Sequence, residues 1–190
     1  ALAQFAVQRL SPKAGAATRM GRLKQLLPYR GKTLVEHAVE QGLEAGFSPV
    51  IVVVGAAAAA IRAALAAQPV GLVENPLWPL GMGSSIRTGI EALPDAPSVA
   101  VLLADQPFVE ARHLREMQTL LDGSGARAVA AQYNGTLGVP AFFQRELFGA
   151  LRSLDPASGA RALLREHATP FPLPEAAIDI DTPEDFATLS

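Results

Sequence analysis

The sequence predicts an α/β fold, a three-layer α/β/α arrangement around a Rossmann-like, mostly parallel sheet. Three observations predict it. The runs Val50-Ile-Val-Val-Val54 and Ser98-Val-Ala-Val-Leu-Leu103 are continuous, largely apolar stretches of strand length, the pattern of strands buried on both faces. Helix-like stretches separate such runs, so strand and helix alternate from about residue 30 to 131. A glycine-bearing segment near the N-terminus follows a candidate strand, where parallel α/β sheets place their ligand loops.

In chain order, the first strand is expected within Phe5-Ala-Val-Gln-Arg-Leu10, central and buried if it delivers the glycine segment. Gln8 and Arg9 are out of character there, and Pro12-Lys13 interrupts its end. A helix is expected over 33–45, then the strand that ends at Val54 before Gly55. The next helix is expected over 57–67, where alanines are strong helix formers. Val70-Gly-Leu-Val73 is a shorter strand, and helices over 84–93 and 110–121 flank the strand 98–103. Ala128-Val-Ala-Ala131 and Gly138-Val-Pro-Ala-Phe-Phe143 read as further strands, and Pro140 suits a sheet edge or a bulge. The stretches 159–166 and 182–189 read as helices. No repeat or linker interrupts the chain, so residues 1–190 are expected to form one domain.

Composition narrows the function classes. A net charge of -2 gives no electrostatic reason to expect nucleic acid. No apolar run reaches membrane-spanning length, and Gln4, Gln8 and Arg9 make residues 1–10 a poor signal peptide. The absence of cysteine removes disulfides, thiolate metal sites and thiol nucleophiles, and is compatible with a reducing cytoplasm. His37, His113 and His167 are far apart, in helix-like contexts with no metal spacing, and read as structural or surface residues.

Four segments carry candidate chemistry. In Gly15-Ala-Ala-Thr-Arg19-Met-Gly21 with Lys24, glycines let backbone N–H groups approach phosphate oxygens while Arg19 and Lys24 supply charge. Five residues intervene between the glycines and Arg22-Leu23 follow, so this is not a Walker loop; the Gly-x-Gly of the dinucleotide fingerprint is also missing. A tight turn with surface charges is the competing reading. Asp105 follows the buried run ending at Leu103, where a carboxylate points into the ligand crevice and can hold Mg2+; a turn or helix-cap aspartate is the alternative. Asp179 and Asp181 lie two apart in an extended segment and face one side, although Asp181 is equally a helix cap before Pro183. Gly81, Ser84 and Ser85 open a helical stretch as a base- or phosphate-binding loop, or as a flexible loop and ordinary cap. Trp78, just upstream with Asn75, reads as core or lid before stacking platform.

The segment Gly15-x-x-x-Arg19-Met-Gly21-x-x-Lys24-Gln-Leu-Leu resembles the signature loop of the MobA-like nucleotidyltransferases. Asn75-Pro-x-Trp-x-x-Gly-Met82-x-Ser-Ser85, Leu-Ala-Asp105-Gln-Pro, Gly138-Val-Pro, Gly159-Ala-Arg161 and Asp179-Ile-Asp-Thr-Pro-Glu-Asp185 continue the resemblance in order over residues 10–190. It implies the nucleotide-diphospho-sugar transferase type of sheet and the transfer of a nucleoside monophosphate from a triphosphate to a phosphate-bearing acceptor. Ala14 before Gly15, and Gly81-Met-Gly-Ser-Ser85, are similar to the cytidine-type branch, the molybdenum cofactor cytidylyltransferases. That branch implies CTP and molybdopterin as substrates, with a molybdoenzyme or its maturation factor as a further partner. The resemblance assigns triphosphate contacts to Ala14, Gly15, Arg19, Gly21 and Lys24, base contacts to Gly81, Ser84 and Ser85, and Mg2+ to Asp105 with Asp179 or Asp181. Arg19, Lys24 and Asp105 are the expected catalytic residues. The chain departs from the family at Pro12-Lys13, where small apolar residues are usual, and at Val139, where many cytidylyltransferases carry His. GTP or a sugar phosphate as substrate, a nucleotide or pterin carrier without catalysis, and a redox enzyme with a nucleotide cofactor are the other readings; the missing dinucleotide fingerprint counts against the last.

Overall fold

A computed structural model describes the backbone of residues 3–7 and, in full, residues 23–55 and 57–178. The described strands are β1 (Ala3–Val7), β2 (Pro28–Tyr29), β3 (Lys32–Thr33), β4 (Val50–Val54), β5 (Gly71–Glu74), β6 (Ser98–Leu103), β7 (Ala128–Tyr133), β8 (Thr136–Gln144) and β9 (Ala168–Pro172). The described α-helices are α1 (Leu34–Glu44), α2 (Ala58–Ala64), α3 (Met82–Glu91), α4 (Ala111–Ser124), α5 (Phe148–Arg152) and α6 (Arg161–His167). Seven strands form one sheet in the order β5-β4-β1-β6-β8-β7-β9, with β8 alone antiparallel to its neighbours. This is the mostly parallel α/β sheet that the sequence predicts. β1 is central, paired in parallel with β4 and β6.

Both faces of the sheet are covered, which explains the unbroken apolar runs. All six residues of β6 are buried. Val99, Val101 and Leu103 pack with Ile86 and Ile90 of α3, Leu151 of α5 and Leu164 of α6. Ala100 and Leu102 pack on the other face with Leu114, Met117 and Leu121 of α4. Val52 and Val54 of β4 meet α1 and α2 through Val35, Val39, Ile61 and Leu65. The period-2 alternation of a strand thus sends successive residues into two cores.

Local signals set the element ends. Thr33 caps α1 with Glu36 in a reciprocal capping box, Thr33 N–H donating to Glu36 Oε2 at 2.8 Å and Glu36 N–H to Thr33 Oγ1 at 3.3 Å. α2 is shorter than its alanine content predicts. It begins only at Ala58, because Ala57 sits in the left-handed region (φ 61°) at its N-cap. α4 outruns its expected end by three residues and stops at Gly125, whose φ of 68° makes a glycine C-cap.

The β2–β3 pair and α5 have no counterpart in the sequence reading, and two further features of the main sheet escape it. β7 and β8 form a hairpin about Asn134-Gly135, both with positive φ (49° and 70°). The Asn-Gly dipeptide is the signal that finds such a turn. β9, with Pro170 and Pro172, is tolerated because it is an edge strand. Pro140, by contrast, lies in an inner strand. The β7–β8 register slips between Ala130, opposite Ala141, and Ala131, opposite Gly138, which leaves Val139-Pro140 as a bulge. The edge alternative for Pro140 is therefore corrected in favour of the bulge. The helix expected over 182–189, and residues 8–10 of the first strand, lie outside the described residues.

Phe142 and Phe143 are fully buried and point into opposite cores from β8. Phe142→Ala is expected to lower unfolding free energy by about 3–5 kcal/mol, read from urea denaturation, because the cavity adds to the lost transfer energy.

Candidate active site at the carboxyl edge of the sheet

The parallel strands β1, β4, β5 and β6 end on one side of the sheet, in register. Asp105 stands just past the end of β6 and is 4% exposed. Lys24 begins a 3-10 turn, Lys24–Leu26, whose Leu26 packs on the α1–α2 core. This anchorage brings Lys24 Nζ within 2.7 Å of Asp105 Oδ2. A carboxylate so buried needs a cation, and Lys24 supplies it from 81 residues away in sequence. Asp105 Oδ1 is buried and has no hydrogen-bond donor. A buried carboxylate oxygen without a donor is a ligand type that a divalent cation accepts. Among the described residues there is no cluster of three or more acidic or histidine ligands.

The turn that follows Asp105 is held at three points. Gln106 Nε2 donates to Val139 O (3.0 Å) and Ala176 O (2.8 Å). His37 Nε2 lies 3.0 Å from Pro107 O. A carbonyl only accepts, so Nε2 carries the proton. The His37 ring also meets Tyr29 edge-on at 4.8 Å, and Tyr29 meets Phe108 at 6.5 Å. Burial holds the His37 pKa below its ordinary 6.5, outweighing the Pro107 hydrogen bond that pulls it up.

A second group lies across the sheet at the end of β5. Asn75 N–H donates to Val54 O at 2.8 Å, which sets Asn75 at the same carboxyl edge. Its amide Nδ2 donates to Ser84 Oγ (2.9 Å) and Ser85 Oγ (3.0 Å), and its Oδ1 accepts from Leu77 N–H (2.9 Å). Ser84 Oγ also lies 2.9 Å from Leu77 O and 2.8 Å from Gly81 O. Both serine hydroxyls are buried and engaged within the loop, so they shape it from beneath. Gly81 (φ 127°) and Gly83 have no room for a side chain. A Cβ on Gly81 would sit 2.8 Å from Pro156 O, and one on Gly83 would collide with Asp155 O and Ser158 O. The segments 81–84 and 155–158, remote in sequence, are thus packed backbone to backbone. Trp78 closes over Gly55, where a Cβ would lie 2.6 Å from Trp78 Cγ; it is a packing residue on the loop.

Of the sequence candidates, Lys24 and Asp105 meet directly. Gly81, Ser84 and Ser85 gather around Asn75, three strand steps away across β4 and β1, about 14 Å at ordinary strand spacing. Ala14, Gly15, Arg19, Gly21, Asp179 and Asp181 lie outside the described residues. Gln106 and His37 gained no functional reading from sequence, since a lone polar residue gives no pattern. His113 is a helix cap: its Nδ1 accepts from Glu110 N–H at 3.1 Å. His167 lies 3.4 Å from Glu166 Oε1 at the end of α6.

The Lys24–Asp105 pair stands at the carboxyl edge of a mostly parallel sheet, where α/β domains of this class bind their ligands. The chain belongs to the MobA-like NTP transferase domain family, whose pattern matches residues 13–170. The crystal structure of Rv0371c from Mycobacterium tuberculosis H37Rv is similar, with 30% identity, a TM-score of 0.76 and coverage of 99% of this chain and 96% of that one. Rv0371c has also been crystallised as a complex with manganese. Nicotine blue oxidoreductase of Paenarthrobacter nicotinovorans is 46% identical over 95 residues, 50% of this chain and 47% of that protein. The chain thus spans half or less of the length of the first curated relatives it matches. Molybdenum cofactor cytidylyltransferase of Escherichia coli K12 is 24% identical over 96% of this chain and 95% of that protein. No helix among the described residues is long and apolar enough to cross a membrane.

Two outcomes follow from the packing. His37 binds its proton less well folded than unfolded, so its contribution to stability is full above pH 6.5 and is lost as pH falls from there through the lowered folded value. His37→Gln should flatten the fall in Tm as pH drops below 6.5. Asn75→Ala strips the donor from two buried hydroxyls and the acceptor from Leu77 N–H, and should cost about 1–3 kcal/mol in thermal unfolding.

Proposed function

We propose that the chain is a nucleotidyltransferase that moves CMP from CTP onto a phosphate-bearing acceptor of the molybdopterin type, releasing pyrophosphate. The observation that carries this reading is the buried Lys24–Asp105 pair, with one carboxylate oxygen left free, at the carboxyl edge of a MobA-like domain. The cytidine preference rests on the Gly81-Met-Gly-Ser-Ser85 loop and on the full-length likeness to molybdenum cofactor cytidylyltransferase. A molybdoenzyme or its maturation factor is the natural receiver of such a product.

An oxygen of the acceptor phosphate attacks the α-phosphorus of the triphosphate; the bond from that phosphorus to the bridging oxygen of the β-phosphate breaks, and pyrophosphate departs. The monoester is already a nucleophile, so positioning and charge stabilisation are what the chain must supply. Lys24, with Arg19, neutralises the triphosphate and the departing pyrophosphate, and backbone N–H groups of Ala14, Gly15 and Gly21 cradle it. Asp105, with Asp179 or Asp181, would hold a divalent cation, Mg2+ in this reading, that supplies Lewis-acid stabilisation of phosphate charge. Gly81 offers backbone to the base, and Ser84 and Ser85 set the shape of that loop through Asn75.

A second reading is favoured by one observation, the 46% identity to an enzyme named an oxidoreductase. In that case the domain handles a redox nucleotide and releases no pyrophosphate.

Purified chain is incubated with each NTP, Mg2+ or Mn2+ and molybdopterin, and scored for pyrophosphate. CTP-dependent release supports the reading. NAD(P)H oxidation in the presence of nicotine blue, with no pyrophosphate, supports the second reading. Asp105→Asn should lower turnover by at least about 100-fold. Lys24→Ala should weaken triphosphate binding by about tenfold. Full activity of the Asp105 variant would sink the scheme.

A further inference from the structure

We propose that Gln106 is a positioning residue that fixes the acceptor side of the cleft to the strand carrying Asp105; this rests on the nucleotidyltransferase reading. Gln106 is 4% exposed and immediately follows Asp105. Its amide nitrogen has two protons, and the structure commits both, one to Val139 O and one to Ala176 O. Its Oε1 is buried with no donor. A buried acceptor without a partner is unfavourable, and an apolar side chain of the same size would avoid it. The side chain that stands here instead ties together two segments that no strand pairing joins at this point. Val139 lies in the β8 bulge, where the register with β7 slips. Ala176 lies in the 3-10 turn Pro174–Ala177 that follows β9.

The sheet order gives this tie a direction. β1, β4 and β5 lie on one side of β6, and β8, β7 and β9 on the other. In β8 the last pairing with β6 is Ala141 opposite Val101, so residues 136–140 run on along the carboxyl end of β6 outside that ladder. With the triphosphate on the β1 side, the acceptor enters against the wall formed by the bulge and the 174–177 turn. Gln106 holds that wall to the backbone of the metal-binding turn. His37 holds the same turn through Pro107 O and Lys24 pairs with Asp105, so two anchors of the turn remain when Gln106 is changed. Gln106 is therefore the anchor that the turn shares with the acceptor wall, and His37 is one that it does not.

The test uses the full chain with Gln106→Met, which keeps the length of the side chain, and Gln106→Glu, which keeps its size and polarity but not its amide protons. CTP binding with Mg2+ is measured by calorimetry, the KM for molybdopterin by pyrophosphate release, and amide hydrogen exchange by mass spectrometry. Both variants should bind CTP within about twofold of wild type, while the KM for molybdopterin rises about tenfold, the scale of one or two buried hydrogen bonds. Exchange should quicken in peptides covering 136–142 and 173–178 and stay unchanged in 98–103. Unchanged exchange in the first two peptides overturns the anchor. Faster exchange with an unchanged KM for molybdopterin overturns the positioning role, as does loss of CTP affinity in parallel with the KM. If wild-type chain binds and turns over no nucleotide, the nucleotidyltransferase reading fails separately, the acceptor role falls with it, and exchange alone decides whether Gln106 ties the two segments.

Discussion

A carboxylate placed at the end of a strand buried on both faces must be neutralised, and the carboxyl edge of this molecule is organised around that need. Asp105 sits past Leu103 with 6% of its side chain exposed. An unpaired charge there would cost several kcal/mol. The ammonium of Lys24 lies 2.7 Å away and can do so only because the Lys24–Leu26 turn is seated on the α1–α2 core. The same pairing satisfies one carboxylate oxygen and leaves the other without a donor.

The turn after Asp105 shows how the fold protects that geometry. Each of three consecutive residues is held by a different part of the chain: Asp105 by the N-terminal turn, Gln106 by β8 and the segment after β9, Pro107 by α1. None of these contacts is local, so the turn stays rigid only while the whole sheet is assembled. The loop after β5 is built differently. Asn75, Ser84 and Ser85 are near one another in sequence and lock the loop from inside, while Gly81 and Gly83 let the 155–158 backbone close over it. One side of the cleft is therefore fixed by long-range anchors and the other by a local hydrogen-bond knot backed by close packing.

Much of the scaffold was legible because burial on both faces leaves a simple signature. Val50–Val54 and Ser98–Leu103 are strands where the apolar runs stand, and the helix after Thr33 follows from its capping box. The β7–β8 hairpin was also written in the chain, in Asn134-Gly135, but its flanking runs read as separate strands. β9 was hidden by Pro170 and Pro172, since proline argues against a strand until the strand is known to be an edge. The short helix α2 resisted for the opposite reason: alanine propensity is a weak prior, and the backbone at Ala57 overrode it.

By itself the sequence determined the α/β layering, the two central buried runs and the candidacy of Lys24, Asp105 and Gly81, because periodicity, glycine placement and charge are local properties. Tertiary structure decided what those residues do to one another. It set Lys24 on Asp105, turned Ser84 and Ser85 inward to Asn75, and made Gln106 the bridge between Val139 and Ala176. Most of these contacts join positions tens of residues apart, and only the closure of the sheet brings such a donor and acceptor within reach.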